Sequence, residues 1–238
     1  MRRFLIVEFR TAHGDTHLPN TGPVAAFTFR GSCRLDGQQL APDAALTGLR
    51  EKSRSHFHLA GHAVALAEFE ASGAAAFVRP PLEEFAGVTT DLAGILAPTR
   101  DLDRLLDRLD AAPNHSRRVA QLEAFFLARL RTAAADPLVE AAVKWIRSGN
   151  GNGRIEELTR HIGLSQSALE RRFRRSIGIT PKRYASLLRF RHSIALLSFG
   201  ADLTTVANSA GYFDQSHFVR EFRNATGFSP TAFLRANP

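Results

Sequence analysis

One helical pattern occurs twice in this chain. Ser165-x3-Leu169-x-Arg171-x-Phe173-x4-Gly178-x2-Pro181 recurs 49 residues later as Asp214-x3-Phe218-x-Arg220-x-Phe222-x4-Gly227-x2-Pro230. Each copy offers a capping residue, an apolar pair spaced i,i+4 and a glycine stop followed by proline, which predicts a short helix with one buried face. A duplication of this kind restricts the region to an all-α fold of two similar units. Charge follows the same division. The formal net charge is +8. Residues 1–136 hold 16 Lys and Arg against 16 Asp and Glu, whereas residues 137–238 hold 15 against 7, the whole excess. A repeated helical unit carrying net positive charge suits a surface that lies along nucleic acid.

The second half is predicted to open with Asp136 as N-cap and Pro137 at the first helical position. The Gly/Asn run Ser148–Gly153 reads as a loop inside this domain, because the helix before it needs later helices to bury Val139, Val143 and Ile146. In the first unit, Ile155–Ile162 leads through Gly163-Leu164 to a helix over 165–177, capped by Ser165. Leu169 and Phe173 face inward, so Ser167, Glu170, Arg171 and Arg174 face out. In the second unit, Thr204–Ala210 leads to a helix over 214–226, capped by Asp214, with Ser216, Val219, Arg220 and Arg223 outward. Arginine can contact guanine O6/N7 bidentately, a carboxylate can accept from cytosine N4, and valine can meet a thymine methyl. Arg172, Arg175, Lys182 and Arg183 flank the stripe and suit phosphates. One long helix over Pro181–Phe199 is expected to hold the two units about one DNA turn, roughly 34 Å, apart.

Leu158-Thr159-x3-Gly163-Leu164-Ser165, Gly178-Ile-Thr-Pro181 and above all Ala207-x3-Gly211-Tyr-Phe-Asp-Gln-Ser-His-Phe218-x-Arg220-x-Phe222-x4-Gly227-Phe-Ser-Pro230 resemble the AraC/XylS family of bacterial transcription regulators over about residues 137–236. The resemblance implies two helix-turn-helix units with the second helix of each in the major groove. By position it places Ser167, Glu170 and Arg171 near bases in the first unit, and Gln215, Ser216, His217 and Arg220 in the second. Two residues depart from the family pattern: Thr159 stands where alanine is usual, and Ser193 takes a small apolar site. Upstream, Phe69–Phe77, Leu82-Glu-Glu-Phe85, Arg117-Arg118 and Leu122-Glu123 resemble the short sensor domain of one branch of the family.

The first 80 residues alternate short apolar runs, such as Val24–Phe29 and Ala63–Phe69, with Pro, Gly and Asn turns, which predicts a small β-barrel or β-rich domain. Helical periodicity then takes over, with Asp91 as a cap, Leu102, Leu105, Leu106 and Leu109 on one face, and a longer helix over 115–134. The stripe Val119, Leu122, Phe125, Phe126 and Leu130 either packs on the chain's own barrel or pairs two subunits. His56-x-His58-x3-His62 could gather imidazoles at a metal, as in cupin barrels. No carboxylate follows at the cupin spacing, so these are expected to be solvated or edge histidines and no metal or cofactor is expected. Cys33, the only cysteine, excludes an internal disulfide and reads as a small buried residue. No nucleophile elbow, phosphate loop or paired-acid constellation is present, so no catalytic residue is assigned. Met1–Val7 is broken by Glu8 and Arg10 too early for a secretory leader, and no run approaches the roughly 20 apolar residues of a membrane span.

The expected fold is therefore α+β in two domains. Residues 1–135 form a β-rich effector or dimerisation domain with a helical hairpin, and 136–238 form an all-α double helix-turn-helix domain. The expected function is a cytoplasmic, sequence-specific DNA-binding transcription regulator, an activator by default. The rivals are a ligand-binding or enzymatic β-barrel with a degenerate DNA module, and a nucleoid-type architectural binder. Double-stranded DNA is the expected partner. A small-molecule effector, a second copy of the chain and RNA polymerase are compatible with this reading, and a membrane is not.

Overall fold

The computed structural model describes residues 1–37, 39–78, 81–96, 99–131 and 136–236. It has two parts, a β-rich N-terminal domain and a helical C-terminal domain. The expected boundary at 135/136 falls against residues 132–135, outside the described residues, as does the end of the helix expected over 115–134.

Among the described residues, nine strands make two sheets: β1 (Arg3–Glu8), β2 (His13–His17), β3 (Val24–Arg30), β4 (Cys33–Leu35), β5 (Gln39–Leu40), β6 (Ala44–Thr47), β7 (Arg54–His58), β8 (Ala63–Glu68) and β9 (Thr89–Asp91). Their orders are β1-β8-β3-β6-β9 and β2-β7-β4-β5, with every pairing antiparallel. Side chains of a strand alternate between faces. In the five-stranded sheet, Val24, Ala26, Thr28, Val64 and Leu66 line a cavity of about 330 Å³ that they share with the four-stranded sheet. Ala25, Phe27, Phe29, Ala63, Ala65 and Ala67 point the other way, into the hydrophobic core. Helices α1 (Arg100–Ala111) and α2 (His115–Leu127) close that core with Leu102, Leu105, Leu109, Leu122, Phe125 and Phe126. Covering both faces of this sheet explains why its strands read as continuous apolar runs rather than as clean alternation.

The α2 stripe is thus part of the domain's own core. Leu122, Phe125 and Phe126 are buried, while Leu130 lies past the helix end and is exposed. Arg118 is buried among them, its Nε donating to the Leu109 carbonyl and its guanidinium paired with Glu8 at 3.1 Å.

The C-terminal domain comprises α3 (Pro137–Ser148), α4 (Ile155–Ile162), α5 (Gln166–Ile177), α6 (Pro181–Ser198), α7 (Leu203–Ser209), α8 (Gln215–Thr226) and α9 (Pro230–Ala236). The predicted caps form. Asp136 accepts from the Leu138 and Val139 amides, Ser165 from Ala168 and Asp214 from His217. Gly178 and Gly227 end α5 and α8 at φ of 98° and 82°, the left-handed cap that glycine adopts without strain. The Ser148–Gly153 loop is tied into the domain by Arg189, which donates to the Gly151 carbonyl at 2.9 Å. Both departures from the family pattern are absorbed locally. Thr159 Oγ1 donates to Glu156 O at the partly exposed face of α4, and the buried Ser193 Oγ donates to Phe190 O, so the interior hydroxyl is not left unpaired.

Two apolar clusters divide the helices into units. One gathers α3, α4 and α5 with the start of α6 around Leu158, Leu169, Phe173 and Tyr184. The other gathers the end of α6 with α7, α8 and α9 around Val206, Phe218 and Phe222. The 18 residues of α6 run through both, a strut of about 27 Å at 1.5 Å per residue.

Candidate nucleic-acid interface

Burial of Leu169, Phe173 and Ile177 on one side of α5 turns Ser167, Arg171 and Arg174 to solvent. Burial of Phe218, Phe222 and Thr226 on α8 does the same for Ser216, Arg220 and Arg223. Gln215 is exposed, with its amide oxygen accepting from Thr204 Oγ1 at 3.0 Å. Among the described residues, none of Arg171, Arg174, Arg220 and Arg223 has an ion-pair partner. Four exposed guanidinium groups at matched positions on two capped helices form a surface able to read base edges or bind phosphate.

Three of the outward residues are less free than their spacing suggests. Glu170 is half-buried and accepts from Gln166 Nε2 at 3.0 Å. Val219 is half-buried against the second cluster. His217 is half-buried, packs edge-on to Tyr212, and its Nδ1 lies 3.4 Å from the Phe213 amide. Its ring thus helps to build the helix start. The Phe213 ring, in contrast, is 91% exposed at the entrance of α8. Sequence reading absorbed it into a turn; the signal it left was an aromatic residue in a turn beside the one, Tyr212, that the core had already used.

The expected phosphate contacts separate into two kinds. Arg175 and Lys182 are exposed and unpaired among the described residues. Arg172 is bound by the Asp136 carboxylate at 2.7 Å, and Arg183 by Glu51 of the first domain at 3.3 Å.

That second pair belongs to a wider junction between the domains. Leu49 and Ala71, from the first domain, are buried in the cluster around Phe173. The 3-10 turn Leu82–Phe85 packs on α5. A Cβ added to Gly178 would lie 2.8 Å from the Leu82 carbonyl oxygen, so the C-terminus of α5 touches the first domain's backbone. Arg147 pairs with Glu70 at 2.6 Å, and Ser72 bonds Glu140. The second unit is touched more lightly. Ser53 donates through its amide to Ala225 O and through its hydroxyl to Thr226 O, and Leu18 rests on the second cluster.

Residues 158–236 match a family described as a helix-turn-helix domain. The chain is 30% identical over 120 residues to the Msm operon regulatory protein of Streptococcus mutans, 49% of this chain and 43% of that protein. It is 32% identical over 101 residues to the arabinose operon regulatory protein of Escherichia coli, 41% of this chain and 35% of that one. The C-terminal region thus carries a helix-turn-helix domain of the AraC type. The chain spans less than half the length of either relative. The two-domain fold is similar to that of ToxT from Vibrio cholerae bound to (E)-4-(8-methylnaphthalen-1-yl)but-3-enoic acid, with a TM-score of 0.55 over 98% of each chain at 12% identity.

The first domain's histidines correct the sequence reading. His58 and His62 are buried, with 4% and 2% exposure, rather than solvated or at an edge. The reason is topological: β7 is an interior strand, flanked by β2 and β4, and its inward face looks into the cavity. Cys33 is buried on the neighbouring strand, and burial pushes its thiol up to about 11, so it stays protonated. Among the described residues no helix is long and apolar enough to cross a membrane.

Proposed function

We propose that this chain is a sequence-specific transcription regulator whose AraC-type domain lays α5 and α8 in successive major grooves, under the control of a small molecule held in the β-rich domain. The matched, unpaired arginines of the two helices carry this reading: Arg171 and Arg174 correspond to Arg220 and Arg223. Arg175 and Lys182 supply phosphate contacts, and Phe213 meets a thymine methyl or a sugar.

The control rests on adjacency. Thr47, Gly48 and Arg50 line the cavity, and Leu49 between them is buried in the core of the first helix-turn-helix unit. A ligand that shifts this segment shifts the bed on which α5 rests. Arg50 is half-buried, burial and the nearby Arg54 lower its pKa to about 10, and among the described residues it has no hydrogen-bond or ion-pair partner. An amphipathic carboxylic acid would satisfy it while filling the apolar remainder of the cavity, and the similar ToxT fold holds an enoic acid. The cytoplasm is the compartment in which such a regulator would work, and RNA polymerase and a second copy of the chain are its natural partners.

The test is genome-wide mapping of bound sites, followed by anisotropy titrations on the strongest of them. Two short preferred patterns about one helical turn apart are expected, with affinity falling steeply as salt rises. Binding with no sequence preference would defeat the reading in favour of an architectural role.

A further inference from the structure

We infer that the β-rich domain holds a divalent transition-metal site of the zinc class, built by Asp15, His17, His56 and His58 on the inner face of the four-stranded sheet. Strands β2 and β7 pair antiparallel with Asp15 opposite His56, His17 opposite Arg54 and His13 opposite His58. Alternation sends Asp15 and His17 of β2 to the same face as His56 and His58 of β7, and all four line the cavity. One ligand atom from each lies within 4.8 Å of all the others. A tetrahedral zinc ion with bonds near 2.0–2.1 Å separates its donors by about 3.3 Å, so each donor needs to move inward by about 1 Å or less. Some edges are already close to that length: His17 Nε2 is 3.2 Å from Asp15 Oδ1, and His58 Nε2 is 3.6 Å from the same oxygen. The His17 and His56 rings are stacked at 3.8 Å, so His56 completes the set by turning its ring edge toward the ion.

Two observations independent of spacing point to a ligand here. Among the described residues, His58 Nε2 and Asp15 Oδ1 are buried and make no hydrogen bond, despite their ion-pair proximity, and the His58 side chain is only 5% exposed. Buried polar atoms of this kind are rare because each forfeits its hydration. A cation bridging them removes both deficits at once.

The second observation is a proton chain behind His58. Its Nδ1 lies 2.9 Å from His62 Nδ1, and His62 Nε2 lies 3.3 Å from Thr28 Oγ1. If His58 Nδ1–H donates to His62 Nδ1, His62 carries its proton on Nε2 and donates to Thr28. That tautomer leaves the His58 Nε2 lone pair directed at Asp15. Metal-bound histidines have this arrangement, with the second ring nitrogen donating to a fixed partner. The Phe9 ring stacked on His58 at 3.8 Å holds the imidazole plane.

Arg50 and Arg54 oppose a further positive charge. Arg54 is offset by Asp36 at 3.1 Å, and Asp15 supplies the negative ligand. Three imidazoles with one carboxylate suit zinc and its neighbours rather than calcium or magnesium.

The full chain, prepared without a polyhistidine tag and stripped with a chelator, is titrated with Co²⁺ as a spectroscopic probe. One Co²⁺ per chain is expected, with the intense visible absorption of a near-tetrahedral site, displaced by Zn²⁺, and a rise in melting temperature. Asp15→Asn and His17→Gln, both at partly exposed positions, are expected to abolish the spectrum while circular dichroism stays unchanged. His62→Gln is expected to weaken binding about 10–100-fold as an outer-shell change. Absence of a Co²⁺ spectrum in the unaltered chain overturns the site. So does Co²⁺ binding that survives Asp15→Asn and His17→Gln, which would place the ion on surface histidines such as His161.

Discussion

The two helix-turn-helix units share a sequence pattern and differ in what surrounds them. In the first, Leu49 and Ala71 of the β-rich domain complete the apolar cluster, the Leu82–Phe85 turn lies against α5, and Arg172 and Arg183 are held by Asp136 and Glu51. In the second, the other domain is met by Ser53 and Leu18, and the side chains of Arg220, Arg223 and Phe213 stand exposed. A duplicated motif has therefore not produced duplicated environments. The proposed division of labour is that the second unit binds DNA with little supervision, while the first engages fully only when its junction with the sensor domain permits.

Removing the core contact should break this contrast most forcefully. Leu49 is 2% exposed, so Leu49→Ala is expected to cost about 2–5 kcal/mol. Amide exchange should accelerate in α5 and leave α8 close to its original rate. Equal acceleration in both helices would show that the units are one cooperative block, and the contrast would disappear.

The next largest effect should come from the arginines. Arg171→Ala and Arg220→Ala are each expected to cost about 1–3 kcal/mol on a cognate site, each relaxing preference in a different half. The contrast sharpens if Arg220→Ala weakens binding with or without effector, while Arg171→Ala matters mainly in the state that engages the first unit. Site-selection profiles for the two variants check this. Loss of preference in the same half from both would overturn the assigned helix orientations.

How far this was legible in the sequence depended on whether the signal was local. The second domain's helices are announced by residues within one or two turns: Ser165, Asp214, the i,i+4 aromatic and leucine pairs, and the Gly-x2-Pro stops. The histidine cluster is not local, because Asp15 and His17 meet His56 and His58 through a pairing some 41 residues apart in sequence. The alternation His13-x-Asp15-x-His17 is a second signal of the same period, and its carboxylate lies upstream of the histidine run rather than after His62. Leu49 carries no such signal, since nothing near it in sequence reports that a partner domain covers it. The ambiguity over the α2 stripe resolved toward core for the same reason: Phe27 and Phe29 needed cover, and Phe125 and Phe126 supply it.

A smaller effect separates the two starts of the DNA-binding domain in acid. Burial pushes the Asp136 carboxyl up, but the Arg172 guanidinium and the Leu138 and Val139 amides outweigh it, holding the pKa below its ordinary value. A folded pKa below the unfolded one contributes stability at neutral pH that is lost as pH falls through the carboxylate range, near 4 and below. Asp136→Ala is expected to cost about 0.5–2 kcal/mol as a lost helix cap and to flatten this acid limb of the melting-temperature profile. An unchanged acid limb would mean that another carboxylate sets it.

The smallest effect tests whether the first unit is restrained by charge as well as by packing. Arg183 and Glu51 have side chains 59% and 48% exposed, and such a pair contributes at most about 1 kcal/mol to stability. Glu51→Gln should therefore leave the melting temperature almost unchanged. Its consequence for DNA should be larger in kind, because Arg183 is released at the start of α6, beside Lys182. One additional phosphate contact steepens the fall of log K with log salt by about 0.9. Glu70→Gln is the matched control: it frees Arg147 near the end of α3, outside the two recognition helices, and should leave the slope alone. A slope raised by Glu51→Gln and not by Glu70→Gln would show that the sensor domain withholds a phosphate contact from the first unit. Identical slopes in all three proteins would mean that the junction acts through Leu49 and the Leu82–Phe85 turn alone, and the contrast between the units would then be one of packing with no electrostatic part.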